Sequence, residues 1–309
     1  MSKNVPRALK EFSVIYTDRA TNLMSGGFKT CMNDITTDLQ GYYKASKCAL
    51  IPGSGSMGME AVARQFGQNK NVLVLRNGQF SYRWSQIFEQ GKITPNVQVL
   101  QATFDMQNRV VNPPDIKDVV REIYDKKPSL VCLPHVETSC GLRVNNYYIK
   151  QISEAVRKVG GLTCLDGVAS GTLQVDFEDL GIDLYCTAPQ KGWSSPASVA
   201  VVMLNDRALE KMKDDKSDSF CLNLEKWCEV SDKYSEGAFM YHTTTPTDAL
   251  MQFRDAIQET KEFGFQNADD AAWDLGHRFR NMLEEFGYPS VAGNNWKSPT
   301  VIVSHCKEN

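Results

Sequence analysis

Apolar positions along this chain alternate between two spacings. Short, nearly continuous apolar runs occur at Cys48–Ile51, Asn71–Leu75, Val97–Gln101, Ser129–Pro134, Leu162–Leu165, Asp183–Thr187 and Val199–Leu204. Between them apolar residues return at i, i+3, i+4 and i+7, as in Met59, Val62, Ala63, Phe66 and again in Ile116, Val119, Val120, Ile123. Phe80, Trp84, Ile87, Phe88 and Ile149, Ile152, Val156, Val159 follow the same rhythm. Runs of the first kind read as buried strands, and stripes of the second kind as helices with one face on a sheet. Their alternation predicts an α/β fold, a three-layer αβα arrangement around a mostly parallel, seven-stranded sheet. Further on, the charge-rich Asp206–Asp218 reads as a solvated helix and loop. Leu250, Phe253 and Ile257 sketch another helix, and Trp273, His277 and the Leu283–Phe286 region a second.

Composition narrows the class without naming a function. A length of 309 residues suits one large domain with a smaller appendage. Hydrophobic residues at 42% and charged residues at 23% are ordinary for a globular protein and argue against disorder or a fibre. The net charge of -3 leaves no electrostatic footprint for nucleic acid, so small molecules are the expected partners. The longest apolar run, Ala197–Leu204, is too short to span a bilayer, and no membrane association is expected. Nine scattered cysteines with no C-x-x-C pair, and four histidines at no ligand spacing to them, give no reason to expect a metal site. The first residues lack an apolar signal core, so a cytoplasmic location is expected, with peroxisomal or mitochondrial delivery by another signal left open.

Two residues carry the chemistry. Lys191 follows the Asp183–Thr187 run, and Asp166 ends the Leu162–Leu165 run, so an amine and a carboxylate can meet at one edge of one sheet. Pyridoxal phosphate chemistry asks for that pair: an amine to form a Schiff base and an anion facing the pyridine nitrogen. Gly53-Ser54-Gly55-Ser56-Met57-Gly58 lies between a strand and a helix, where backbone N–H groups at a helix start can hold an anion. The same residues satisfy G-x-G-x-x-G, but the second strand ends Leu75-Arg76-Asn77-Gly78 without the acid that a dinucleotide ribose requires. Spacing alone leaves a phosphate loop and a tight turn both open. Phe80, at the head of its helical stripe, reads as a core residue by periodicity.

Taken together, Gly53-Ser54-Gly55, Asn77-Gly78-Gln79-Phe80, Glu137-Thr138-Ser139-Cys140-Gly141, Asp166-Gly167-Val168-Ala169-Ser170, Gln190-Lys191 and Tyr241-His242-Thr243-Thr244-Thr245-Pro246 resemble the ordered motifs of class V pyridoxal-phosphate-dependent aminotransferases. The likeness is greatest to the alanine–glyoxylate, serine–pyruvate and 2-aminoethylphosphonate branch, and it covers roughly residues 45 to 300. It implies that Lys191 anchors the cofactor and shuttles the proton, that Asp166 pairs with the pyridine nitrogen, and that Phe80 and Val168 pack on opposite ring faces. It implies further that Ser139, or its neighbour Thr138, bonds near the phenolic oxygen. Ser54, Gly55, Ser56 and Gln190 would hold the phosphate in one subunit, with Tyr241 and Thr244 reaching it from the partner of a homodimer.

The implied organisation is an amino-terminal arm over 1–20, a large cofactor-binding domain over 21–262 and a partial small domain over 263–309. The family's chains continue beyond Ser298–Val301 to an arginine that grips the substrate carboxylate, so a chain ending at Asn309 is expected to lack it. The implied activity is transfer of an amino group from a small amino acid to a 2-oxo acid such as glyoxylate or pyruvate. A lyase or cysteine desulfurase of the same fold ranks lower, because Phe80 and Gln190 stand where desulfurases carry histidines. A non-catalytic cofactor-binding protein is the third reading.

Overall fold

The computed structural model describes residues 21–306. The arm expected over 1–20 therefore lies outside the described residues. In chain order the strands are β1 (Lys47–Pro52), β2 (Val72–Arg76), β3 (Val97–Gln101), β4 (Thr103–Asp105), β5 (Val110–Asn112), β6 (Leu130–Pro134), β7 (Val136–Glu137), β8 (Leu142–Arg143), β9 (Leu162–Asp166), β10 (Leu184–Thr187) and β11 (Val199–Leu204). The helices are α1 (Gly26–Tyr43), α2 (Gly55–Phe66), α3 (Tyr82–Gln90), α4 (Ile116–Lys126), α5 (Asn146–Lys158), α6 (Phe177–Leu180), α7 (Asp206–Met212), α8 (Leu224–Ser235), α9 (Thr247–Phe263) and α10 (Phe265–Glu285).

All seven apolar runs are strands of one sheet, in the order β1-β11-β10-β9-β6-β2-β3. Only β11 runs against its neighbours β1 and β10; the β10–β9, β9–β6, β6–β2 and β2–β3 pairs are parallel. Every residue of β6, β9, β10 and β11 is buried. Strands covered on both faces lose the in–out alternation of a half-exposed sheet, and that is why these segments read as continuous apolar runs. The alternation of strand and helix places the carboxyl ends of β1, β2, β6, β9 and β10 along one edge, where open α/β sheets receive ligands.

Helix starts are set by local chemistry. Ser25, Asp115, Asn145, Asn205 and Asn223 each accept a hydrogen bond from the first turn of their own helix, a contact that contributes about 1 kcal/mol. Ser54, at the start of α2, makes no such bond. The core face of α5 buries Ile149, Ile152 and Val156 completely, each stabilising by roughly 1.5–3 kcal/mol over exposure.

Several elements depart from the sequence reading. Helix α1 was not expected, yet Phe28, Cys31, Met32, Ile35 and Leu39 bury an i, i+3, i+4, i+7, i+11 face diluted by polar and glycine neighbours. Helix α8 was missed as well, although Leu224, Trp227 and Cys228 bury one side of it. The Asp206–Asp218 stretch does form α7 and a loop, but the loop is not simply solvated: Asp215 pairs with Lys70, and Asp218 with Arg64 at 2.9 Å, fastening it to the end of α2. Helix α3 begins at Tyr82, two residues later than the Phe80 stripe suggested, and Phe80 is 41% exposed. Its assignment to the core by periodicity is corrected: the helix stripe starts at Trp84, which is fully buried.

Candidate active site

Asp166 and Lys191 emerge from neighbouring parallel strands. Asp166 pairs in register with Cys186 of β10 and with Pro134 of β6, and the Gly167 amide donates to the Cys186 carbonyl at 2.8 Å. Five residues past Cys186, Lys191 sits exposed in a turn, where its carbonyl accepts from the Ser194 amide at 3.2 Å and its side chain makes no hydrogen bond or ion pair among the described residues. Asp166 is buried, and burial, with the buried Glu137 carboxylate nearby, pushes its pKa up to about 6, against the lowering pull of the Val168 amide and Arg83. A carboxylate so placed forms no direct ion pair among the described residues. Such an acid suits a positively charged ring nitrogen.

The phosphate-loop residues meet this pair directly. A Cβ on Gly55 would lie 2.6 Å from Val168 Cγ2 and 3.6 Å from the Ala188 Cβ, so the first turn of α2 packs against the segment after Asp166 and the one before Lys191. Only glycine admits that approach. Ser54, Gly55, Ser56, Asp166, Val168, Gln190 and Lys191 thus share one corner of the sheet edge. Gln190 has a buried amide oxygen with no hydrogen-bond partner, and the first turn of α2 carries no side-chain cap. Backbone N–H groups at an uncapped helix start, with the Gln190 amide, a buried acid and a free amine beside them, fit a phosphorylated pyridine aldehyde.

Phe80 is positioned beside this corner by Glu137, the first residue of the Glu137-Thr138-Ser139-Cys140-Gly141 motif. Glu137, fully buried, accepts from the Phe80 amide at 3.1 Å, from the Ser81 amide at 2.9 Å and from the Ser81 hydroxyl at 2.7 Å. It also accepts from the Ser139 amide at 3.2 Å and the Ser139 hydroxyl at 2.6 Å. A Cβ on Gly78 would stand 2.2 Å from Ser139 Oγ, so the Asn77-Gly78 turn lies flat on the β7–β8 hairpin. The Phe80 ring is held by its backbone and is 41% exposed. Ser139 donates to Glu137 and accepts from the Gln79 amide at 3.0 Å, which leaves its neighbour Thr138, half-buried and outside that network, as the freer hydroxyl.

His135 and Arg83 are further residues that the sequence reading did not single out. His135 is buried, its Nδ1 lies 2.8 Å from Ser170 Oγ, and its backbone amide donates to the Asp166 carbonyl at 2.8 Å. Burial, with Arg143 nearby, holds its pKa well below the usual histidine value, so the ring is neutral beside Ser170. Arg83, in the first turn of α3, donates to Ser56 Oγ at 2.9 Å and lies 5.8 Å from the centre of the Phe80 ring. A cue for both existed: Arg83 is three residues from Phe80, and His135 directly follows the β6 run.

Tyr241 and Thr244 stand apart from this corner's bonds. Both are exposed, and the Tyr241 hydroxyl lies 3.2 Å from Thr244 Oγ1.

The sequence profile described as Aminotransferase class-V matches residues 8–306. The chain is 26% identical over 251 residues to alanine–glyoxylate aminotransferase 1 of Saccharomyces cerevisiae, covering 76% of this chain and 61% of that protein. It is 26% identical over 259 residues to serine–glyoxylate aminotransferase of Methylorubrum extorquens, covering 82% of this chain and 62% of the relative. Among solved structures, ureidoglycine–glyoxylate aminotransferase of Bacillus subtilis superposes with a TM-score of 0.78 at 25% identity, over 91% of this chain and 70% of that one. The chain thus spans less than two thirds of the length of either of these two sequence relatives.

Proposed function

The chain belongs to the class V aminotransferase family, and on that premise we propose that it catalyses pyridoxal-phosphate-dependent transamination. The amino group would pass from a small amino acid such as alanine or serine to a 2-oxo acid such as glyoxylate or pyruvate. The observation that carries this reading is the convergence of a buried, cation-seeking Asp166 and an unpaired Lys191 from adjacent parallel strands. The names of the yeast and Methylorubrum relatives support glyoxylate as acceptor.

Asp166 would hold the ring nitrogen in its protonated form, and its own burial makes that cation the partner it lacks. The first turn of α2, with Ser54, Ser56 and Gln190, would hold the phosphate through N–H and hydroxyl donors. Phe80 would cover one ring face, worth about 1 kcal/mol beyond burial, and Val168 the other. When bound, the cofactor supplies an electron sink for the pair released as a proton leaves the amino-bearing carbon. Lys191 Nζ, free once the substrate amine has taken its place, would accept that proton from the α-carbon and deliver it to the cofactor's C4′ carbon on the far side of the amino nitrogen, a task for an amine with no fixed ion-pair partner. Glu137 fixes the Phe80 backbone, and the His135 backbone amide holds the carbonyl of Asp166.

A homodimer belongs to the same proposal. Tyr241 and Thr244, exposed and bonded to each other, would complete the phosphate site of a second copy. The large and small units divided at residue 262 are likewise part of this reading.

The test is spectroscopic. Purified chain mixed with pyridoxal phosphate is expected to show a visible absorbance band that is absent in Lys191→Ala and that bleaches on addition of alanine or serine. A band that ignores every amine would favour a binding protein. Pyruvate or ammonia released without an amino acceptor would point to a lyase. Lys191 makes no side-chain bond, so the variant should unfold within about 0.5 kcal/mol of the parent, which separates lost chemistry from lost fold.

A further inference from the structure

The phosphate-holding set named above contains neutral donors only. A phosphate monoester is close to doubly charged at neutral pH, and buried or half-buried anions are ordinarily met by a cation. We propose that Arg83 is that cation: its guanidinium pairs with the cofactor phosphate from the α3 side, next to Ser56, as a binding residue of the same site. The inference rests on the reading of Ser54–Ser56 as the phosphate end of that site.

Three observations support it. First, the Arg83 guanidinium already touches the loop, with Nη1 donating to Ser56 Oγ at 2.9 Å. Second, Arg83 is half-buried and forms no direct ion pair among the described residues, the Asp166 carboxylate feeling its charge without contact, and a cation in that state has room for an anion. The neighbouring cation differs: Arg64 is engaged by Glu60 at 2.8 Å and by Asp218 at 2.9 Å. Third, Ser54, Ser56 and Arg83 line one open groove of about 600 Å³ together with Met57, which leaves room for an anion beside the helix start.

The position of Arg83 also follows from the fold. Glu137 fastens the Phe80 and Ser81 amides, so the first turn of α3 starts at a fixed point, and Arg83 projects from that turn across to α2. Phe80 and Arg83, three residues apart, then face the ring and the phosphate of one ligand.

The rival role is purely structural: Arg83 bracing α3 against α2 through Ser56 and covering the Phe80 ring. The two roles differ in what they do to a ligand without phosphate. Wild-type chain, Arg83→Met and Arg83→Lys are titrated at equilibrium with pyridoxal phosphate and, separately, with pyridoxal, by the Lys191-dependent absorbance band. Thermal unfolding of each ligand-free variant is recorded alongside. The expected result is a roughly ten- to hundredfold weaker affinity of Arg83→Met for pyridoxal phosphate, the loss of one charge-assisted contact, with pyridoxal affinity unchanged. Arg83→Lys keeps the charge without the fork and should fall between. Inorganic phosphate should compete less well for Arg83→Met than for the wild type.

Equal losses for both ligands, or no loss for either, overturn the proposal in favour of bracing. A wild type that binds the two ligands equally overturns the Ser54–Ser56 phosphate site instead. A wild type that forms no Lys191-dependent band with either overturns the cofactor reading, and Arg83's role falls with it.

Discussion

Gly55, the first residue of α2, approaches Val168 so closely that a single added methyl would lie 2.6 Å from Val168 Cγ2. This contact joins the helix that follows β1 to the segment that follows β9, two strands separated in the sheet by β11 and β10. It defines the corner in which the anion donors, the buried acid and the amine are assembled.

Gly55→Ala should therefore push the helix start away from Val168. Overpacking of this kind costs about 1–3 kcal/mol, read as a lowered unfolding midpoint, and weaker binding of pyridoxal phosphate should accompany it. Val168→Ala in the same chain opens the space again, so the double variant should recover much of the stability. Strictly additive losses in the two variants would show that the pair does not touch.

Glu137 organises the opposite side of the site. Removing its carboxylate leaves buried donors on Ser81 and Phe80 without an acceptor, so Glu137→Ala is expected to cost about 3 kcal/mol or more in denaturant unfolding. Glu137→Gln keeps the shape and one acceptor and should cost about half as much. A change below about 1 kcal/mol for the alanine variant would mean that solvent or a neighbour replaces the acid.

Asp166 sets a pH dependence in the ligand-free chain. Its folded pKa, about 6, lies above the ordinary carboxylate value, so the folded state keeps a proton that the unfolded chain has already released. The group thus contributes stability at acid pH that is lost as pH rises to about 6, on the order of 2–3 kcal/mol in all. Asp166→Asn stays neutral and should lack that slope, matching the parent near pH 4 and exceeding it near pH 7 before cofactor is added. Pyridoxal phosphate should cancel the advantage, because the ring nitrogen then supplies the missing positive charge. Parallel pH curves for parent and variant would contradict the raised pKa.

The helices and strands that the sequence revealed are those whose burial is strong and uniform. The central strands β6, β9, β10 and β11 were legible because both faces are covered and every residue is buried, while the edge strand β3, only partly buried, was legible from its Val97, Val99 and Leu100 alone. Helix α1 was obscured because Gly26, Gly27, Thr30, Thr36, Thr37 and Gly41 dilute its buried stripe, and tertiary packing outweighs weak helix propensity there. Phe80 misled because a helical stripe can be extended past a helix start by an aromatic that belongs to the preceding turn. Glu137 and His135 carried little signal of their own, since a buried acid or histidine is recognised by its hydrogen bonds, and those come from residues distant in sequence.

What the sequence determined by itself was the alternating α/β architecture, the amine and acid at the ends of two apolar runs, and the glycine-rich turn before a helix. Each is encoded locally, in periodicity or in a short motif. Only the tertiary structure decided that β9 and β10 are neighbours in register, that Gly55 meets Val168, that Glu137 holds the Phe80 turn and that Arg83 reaches Ser56. Strand order and close approach arise from packing between segments far apart in the chain, and no local pattern of residues specifies which sheet edges will meet.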